Sequence, residues 1–149
     1  MPDGPSPELS PTVPHHFRVR YAETDAMGIA HHSSFLLWME MGRTEFMRSF
    51  GFTYRELESL GVLLPVAELN VRYRRPARYD DQLRIDTHVS EFTRTRIKMY
   101  YRVYREPDNQ LLAEGWTLHA ITGRDGRPIR LTDHPDAWER LRAMAPSAD

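Results

Sequence analysis

Between Tyr21 and Glu45 the chain reads YAETDAMGIAHHSSFLLWMEMGRTE, which crowds acids, imidazoles and hydroxyls ahead of an apolar run. Glu23, Thr24 and Asp25 form an acid-bearing stretch that passes through Gly28 into His31, His32, Ser33 and Ser34. An apolar segment opens at Phe35. Local rules read this as a strand end, a tight loop and then a helix, with Ser33 or Ser34 able to cap the helix by accepting from its free N–H groups. A helix start presents unpaired donors and the positive end of the dipole. A carboxylate at Asp25 beside such a start combines a base or nucleophile with an oxyanion site, which is what acyl transfer requires. The same residues also have a plain structural use. An Asp before a helix forms caps and turns, and Gly28 supplies a positive φ.

Other chemistry-bearing residues narrow the field. Glu40 and Arg43 stand one helical turn apart and can pair, or Glu40 can face the site. His15 and His16 are adjacent on an extended segment, so they point to opposite faces and make a poor metal pair. The chain has no cysteine, which excludes disulfides, thiolate metal sites and a cysteine nucleophile.

The elements around this stretch follow from periodicity. Phe17, Val19 and Tyr21 alternate with Arg18 and Arg20, which predicts a strand with one buried face. Phe35, Trp38, Met39, Gly42, Phe46 and Phe50 share a helical face, so a helix is expected over 35–50. Gly42 costs about 1 kcal/mol relative to alanine in mid-helix. Close approach to a sheet is a reason to accept that cost, and so apolar a helix is expected to be wrapped by strands. Thr53 to Glu56 has capping-box spacing, with a short helix to about Leu60 and Gly61 at its end. Strands follow at Ala67–Tyr73, Leu83–Val89, Thr95–Val103 and Leu112–Ala120, the last interrupted by Gly115. Arg75-Pro76-Ala77-Arg78 breaks the ladder, because proline cannot donate. Turns fall at Tyr79-Asp80-Asp81, Pro107-Asp108-Asn109 and Gly123–Gly126, and a short terminal helix at Asp136–Met144. One strand, a long buried helix, a short helix and then strands in hairpin order predict an α+β fold, a curved antiparallel sheet around one central helix.

The chain has 149 residues, enough for one domain with a real core. Residues 1–14 carry five prolines and few large apolar side chains, so they read as a disordered tail ahead of a single domain over 15–145. The formal net charge is -1, which gives no argument for nucleic acid. Lys98 is the only lysine, so the positive charge is nearly all arginine, suited to bidentate phosphate or carboxylate contacts. There is neither a long apolar run nor a charged-then-apolar leader, so a soluble cytoplasmic protein without a membrane partner is the default expectation.

The element order and the Tyr21–Glu45 stretch together resemble the hot-dog-fold acyl-CoA thioesterases, in their 4-hydroxybenzoyl-CoA thioesterase-like branch. The resemblance runs from Phe17 to Thr122 and rests on Tyr21, Glu23, Thr24, Asp25, Gly28, Ile29, Ala30, His31 and His32. Glu40 followed by Arg43 and the run Arg72–Ala77 followed by Asp80-Asp81 extend it. It implies the hot-dog fold, homodimers joined edge to edge and paired into homotetramers, active sites at the dimer interface, and no metal or other cofactor. It also implies roles: Asp25 as nucleophile or base toward water, the backbone N–H of His32 as the oxyanion donor, and Gly28 as part of the catalytic loop. Tyr21, His31, Ser34, Phe35, Trp38, Glu40, Arg74 and Arg75 are the expected substrate-binding residues, and Met39 could join Phe35 and Trp38 in shaping an acyl pocket. The chain departs from the pattern at Glu23, where Asp is usual, and at Ser34 and Phe35, where Asn and Tyr are common.

The expected activity is hydrolysis of an acyl-CoA thioester to acid and CoA. Two rivals stay open. One is another hot-dog acyl-CoA reaction such as enoyl hydration, and the other is a non-catalytic module that binds acyl-CoA or another small ligand.

Overall fold

A computed structural model describes residues 6–148. Five strands form one antiparallel sheet: β1 (Val13–Arg18), β2 (Val66–Tyr73), β3 (Gln82–Phe92), β4 (Arg96–Glu106) and β5 (Gln110–Ala120). Their spatial order is β1-β3-β4-β5-β2, so β1 and β2 are the edges. The described residues also form three α-helices: α1 (Ser34–Ser49), α2 (Tyr54–Ser59) and α3 (Pro135–Arg142).

The long helix α1 lies against the concave face. Its buried side is Phe35, Trp38, Met39, Gly42 and Phe46, with Met47 beside them. The sheet answers with Leu83, Ile85, Val89, Ile97, Met99, Tyr101 and Val103, all buried. Gly42 is the close-approach point anticipated from its cost: a Cβ there would sit 2.7 Å from Thr87 Oγ1 and 3.2 Å from Ile85 Cδ1. Thr53 caps α2 by accepting the Glu56 N–H at 3.3 Å, and Gly61 follows with φ +86.

Several expectations need correction. Residues 1–5 of the expected tail lie outside the described residues. From Leu9 onward the segment is tied down, because Leu9 carries an N–H that the neighbouring prolines lack and Ser10 offers a hydroxyl oxygen as acceptor. The Leu9 N–H donates to Val89 O at 2.9 Å, the Val89 N–H donates to Ser10 Oγ at 2.8 Å, and Ser147 donates to Leu9 O at 3.1 Å. The packed unit also runs past 145, since Ala145 and Ala148 are buried.

Tyr21 is not a strand residue. The strand stops at Arg18, and Tyr21–Glu23 form a single 3-10 turn. β5 is not interrupted at Gly115, which faces β2 where an added Cβ would lie 2.0 Å from Asn70 O. Its inner face carries Thr117 and His119 rather than Trp116 and Leu118. These polar groups are tolerated inside because they bond in series: Tyr101 Oη to Thr117 Oγ1 at 2.7 Å, Thr117 Oγ1 to His119 Nε2 at 2.8 Å, and His119 Nδ1 to Leu64 O at 2.9 Å.

Candidate functional site

The loop leaving β1 folds tightly. The Thr24 N–H and hydroxyl both donate to Tyr21 O, at 3.1 and 2.7 Å. The Asp25 N–H donates to Ile29 O at 2.9 Å, and the Gly28 N–H donates to Asp25 O at 3.0 Å. Gly28 has φ +78, a conformation that L side chains avoid. Asp25 Oδ1 accepts the Met27 N–H at 2.8 Å, and Oδ2 has no partner among the described residues.

Glu23, one residue pair earlier, turns the other way. It is 7% exposed and ties the loop to α1. Its Oε1 accepts the Arg20 N–H at 2.8 Å, and its Oε2 accepts the Trp38 indole N–H at 3.0 Å and Arg20 Nη2 at 3.2 Å. Its carbonyl accepts the His31 N–H at 2.8 Å and the Ser34 hydroxyl at 2.9 Å. Burial raises the Glu23 carboxyl, but the bonds from Arg20 and Trp38 outweigh it and hold the group below its ordinary value. The two acids of the motif therefore have different work. Glu23 fastens the loop to α1, and Asp25 stays at the surface with one oxygen free.

The start of α1 is built without the expected serine cap. Ser33 is the cap residue but makes no capping bond; its hydroxyl pairs with His31 Nδ1 at 2.8 Å. Ser34 is spent on Glu23 O. The Ser34, Phe35 and Leu36 N–H groups close short turns onto His31, His32 and Ser33 carbonyls. The Ser33 N–H goes to His31 Nδ1 at 3.2 Å. That leaves the His32 N–H without an acceptor among the described residues.

A cleft of about 390 Å³ brings these groups together, lined by Asp25, Ile29, Ala30, His31, His32 and Phe35 with Tyr73, Arg74, Arg75 and Pro76. The His31 and His32 rings lie in contact, centroids 4.1 Å apart and planes tilted by 33°. Of the expected site residues, Asp25, His31, His32, Phe35, Arg74 and Arg75 meet here. Arg74 is largely committed elsewhere, with two bonds to Glu114 Oε2 at 3.1 and 2.8 Å. The Arg75 side chain has no partner among the described residues.

Five expected site residues do not line the cleft. Gly28 is the apex of the loop beneath it. Tyr21 is 78% exposed and packs edge-on against Tyr79, because the 3-10 turn carries it away. Ser34 and Trp38 are buried, both held by Glu23. Glu40 is exposed, 3.8 Å from Arg43, so the pairing alternative holds.

Tyr73 was missed as a site residue, although it stands in the Arg72–Ala77 run. It lies on the cleft wall and donates its phenol to His32 O at 2.8 Å. Behind Phe35 a narrow crevice lies between helix and sheet, bounded by Met39, Val71, Tyr101 and Val103; at 10 Å³ it offers about the space of a single water. Among the described residues no three His, Asp or Glu side chains converge as a metal-binding set.

Comparison with known proteins places this geometry in a family. Residues 19–143 match the model of the thioesterase-like superfamily. The putative acyl-CoA thioesterase YneP of Bacillus subtilis is 34% identical over 121 residues, covering 80% of this chain and 87% of that protein. The acyl-CoA thioester hydrolase YbgC of Escherichia coli is 35% identical over 101 residues, 68% of this chain and 75% of that one. The DHNA-CoA thioesterase of Staphylococcus aureus superposes with a TM-score of 0.79 at 30% identity, covering 89% of this chain and 91% of that chain. A hot-dog architecture, a match spanning nearly the whole packed unit and relatives above 30% identity agree: the chain belongs to the thioesterase-like superfamily.

Proposed function

We propose that this protein is an acyl-CoA thioesterase that hydrolyses its substrate to a free acid and CoA in the cleft between Asp25 and the start of α1. One observation carries the reading: Asp25, with a carboxylate oxygen unpaired among the described residues, and His32, whose helix-start N–H is likewise unpaired, line the same cleft. The thioester carbonyl oxygen accepts from the His32 N–H, whose position at the positive end of α1 favours the negative charge that develops there. Asp25 then acts in one of two balanced ways. It attacks the carbonyl carbon and expels the thiolate, leaving an anhydride that water opens, or it takes a proton from the water that attacks. In both, the C–S bond breaks, one water is consumed, and the thiolate leaves to be protonated as free CoA. On the first route water opens the anhydride at the Asp25 carbonyl, so the acid keeps an Asp25 oxygen and Asp25 takes that of water; on the second the acid takes the oxygen of water directly.

The arginines at the rim, Arg75 above all, are placed to meet the CoA phosphates. The assembly that goes with this reading is a homodimer joined along the open edge of β2, paired into a homotetramer. Val66, Leu69 and Tyr73 on that strand and Leu37 on α1 are large apolar side chains left exposed in the single chain. No helix among the described residues is long and apolar enough to cross a membrane, and a cytoplasmic location goes with a CoA-ester substrate.

The test is free-thiol release from a panel of aliphatic and aryl CoA thioesters by wild type and Asp25→Asn. The expected result is turnover by wild type and a loss of about 10²- to 10⁴-fold in the variant, with CoA-ester binding retained. Equal release by both would remove Asp25 from the mechanism. Binding without release would favour a binding module, and water addition to an enoyl-CoA without thiol release would favour a hydratase. Single turnover in heavy-oxygen water separates the two routes, since only attack by Asp25 transfers a carboxylate oxygen to the product.

A further inference from the structure

We propose that Tyr73 is a positioning residue that holds the His32 N–H in its oxyanion-binding orientation; this rests on the thioesterase reading above. An oxyanion donor works because it is already aimed before charge develops. The first turn of α1 lacks the usual device for this. Neither Ser33 nor Ser34 caps it, and the His32 carbonyl receives only a long 3.3 Å bond from the Phe35 N–H within the helix.

The shorter bond to that carbonyl comes from the sheet, 2.8 Å from the Tyr73 phenol at the end of β2. The Tyr73 ring is braced in turn. It meets Phe35 edge-on, with centroids 5.0 Å apart and planes at 86°. On the other side of His32, the His31 N–H is fixed to Glu23 O at 2.8 Å. His32 thus sits between two anchors, one from the loop and one from β2. Its own N–H has no acceptor among the described residues, and His32 lines the cleft. The phenol acts through the backbone of His32 and not on the reacting atoms.

Tyr73→Phe tests this, since it keeps the ring and its contact with Phe35 and removes only the hydroxyl. Complete loss of an oxyanion donor costs about 10²- to 10³-fold in kcat, and loosening one should cost less, roughly ten- to a hundredfold. KM should stay within about twofold, because a group acting on the transition state alone leaves ground-state binding unchanged. An independent readout is the ¹⁵N order parameter of the His32 amide. It should fall from the rigid-backbone level of about 0.85 toward roughly 0.6 in the variant, with amides in the middle of α1 unchanged.

A lower kcat with unchanged KM and a looser His32 amide supports the proposal. An unchanged kcat overturns it. So does a raised KM with intact kcat, which would make Tyr73 a substrate contact. A lower kcat with an equally rigid His32 overturns it as well. If wild type releases no thiol from any ester in the panel, the thioesterase reading fails, and the His32 order parameter still decides whether the clamp exists.

Discussion

Replacing Glu23 by Gln should separate the two acids of the motif by stability as well as by activity. Glu23 presents two oxygens to donors on both sides: the Arg20 N–H at Oε1, and the Trp38 indole and Arg20 guanidinium at Oε2. A glutamine offers only one oxygen, so its NH₂ must face a donor whichever way the amide turns. One buried N–H is then left without an acceptor, at a cost of about 1–3 kcal/mol, and the bonds that survive lose their charge assistance. The Arg20 guanidinium is mostly exposed, so its ion pair adds little. The sum is about 2–3 kcal/mol, which lowers Tm by roughly 5–10 °C for a chain of this size. The pH dependence has a definite sign. The Glu23 carboxyl is held below its ordinary value in the fold, so its contribution is complete above the ordinary carboxylate pKa and is lost as pH falls through the lowered one. Thermal unfolding of both proteins from pH 7 downward should therefore show a Tm gap that is constant near neutrality and closes in acid. A gap that stays constant throughout, or widens as the pH falls, would refute the role assigned to the ionised carboxylate. Thiol release by folded Glu23→Gln should fall far less than in Asp25→Asn, and a loss as large would refute the division of labour.

Four further substitutions probe the parts around it. Gly28→Ala meets nothing within 4 Å, so its effect is purely conformational, about 1–2 kcal/mol for a left-handed residue. Thermal unfolding should register that loss, and thiol release should fall at least about tenfold as the Asp25 loop shifts. Gly42→Ala sets a helix-propensity gain of about 1 kcal/mol against overpacking at Thr87 and Ile85, about 1–3 kcal/mol. A net loss near 1 kcal/mol in a denaturant titration is expected, and a gain would mean that α1 is not pressed on the sheet. Arg75→Ala should raise KM for CoA esters about five- to tenfold at low salt, with the effect shrinking as salt is added. Arg74→Ala should raise it less, because Glu114 already holds that guanidinium; the two KM values measured side by side decide it.

What could be read from the residues alone divides along the range of the interactions involved. The helix α1, the Thr53 cap, the Gly42 contact and the strand ladder rest on periodicity and local chemistry, and all of them stand in the fold. That Asp25 and His32 would line one cleft was legible because the loop and the helix start adjoin in sequence. Trp38 was misassigned for the opposite reason. An indole on an apolar helical face reads as pocket or core alike, and only the buried Glu23, 15 residues away, decides between them. Tyr73 was invisible as a site residue because its partner is 41 residues distant. Along its own strand, alternation marks it merely as one more inward-facing aromatic. The helix start shows how such gaps arise. Two serines in a row looked like caps, yet the fold spends one hydroxyl on His31 and the other on Glu23, and leaves the sheet to fasten the turn. A cap formed by Ser33 would have accepted an N–H within the first turn and closed it locally. Fastening it from β2 instead makes the geometry of His32 depend on the edge strand, so any change that shifts β2 is transmitted to the His32 backbone.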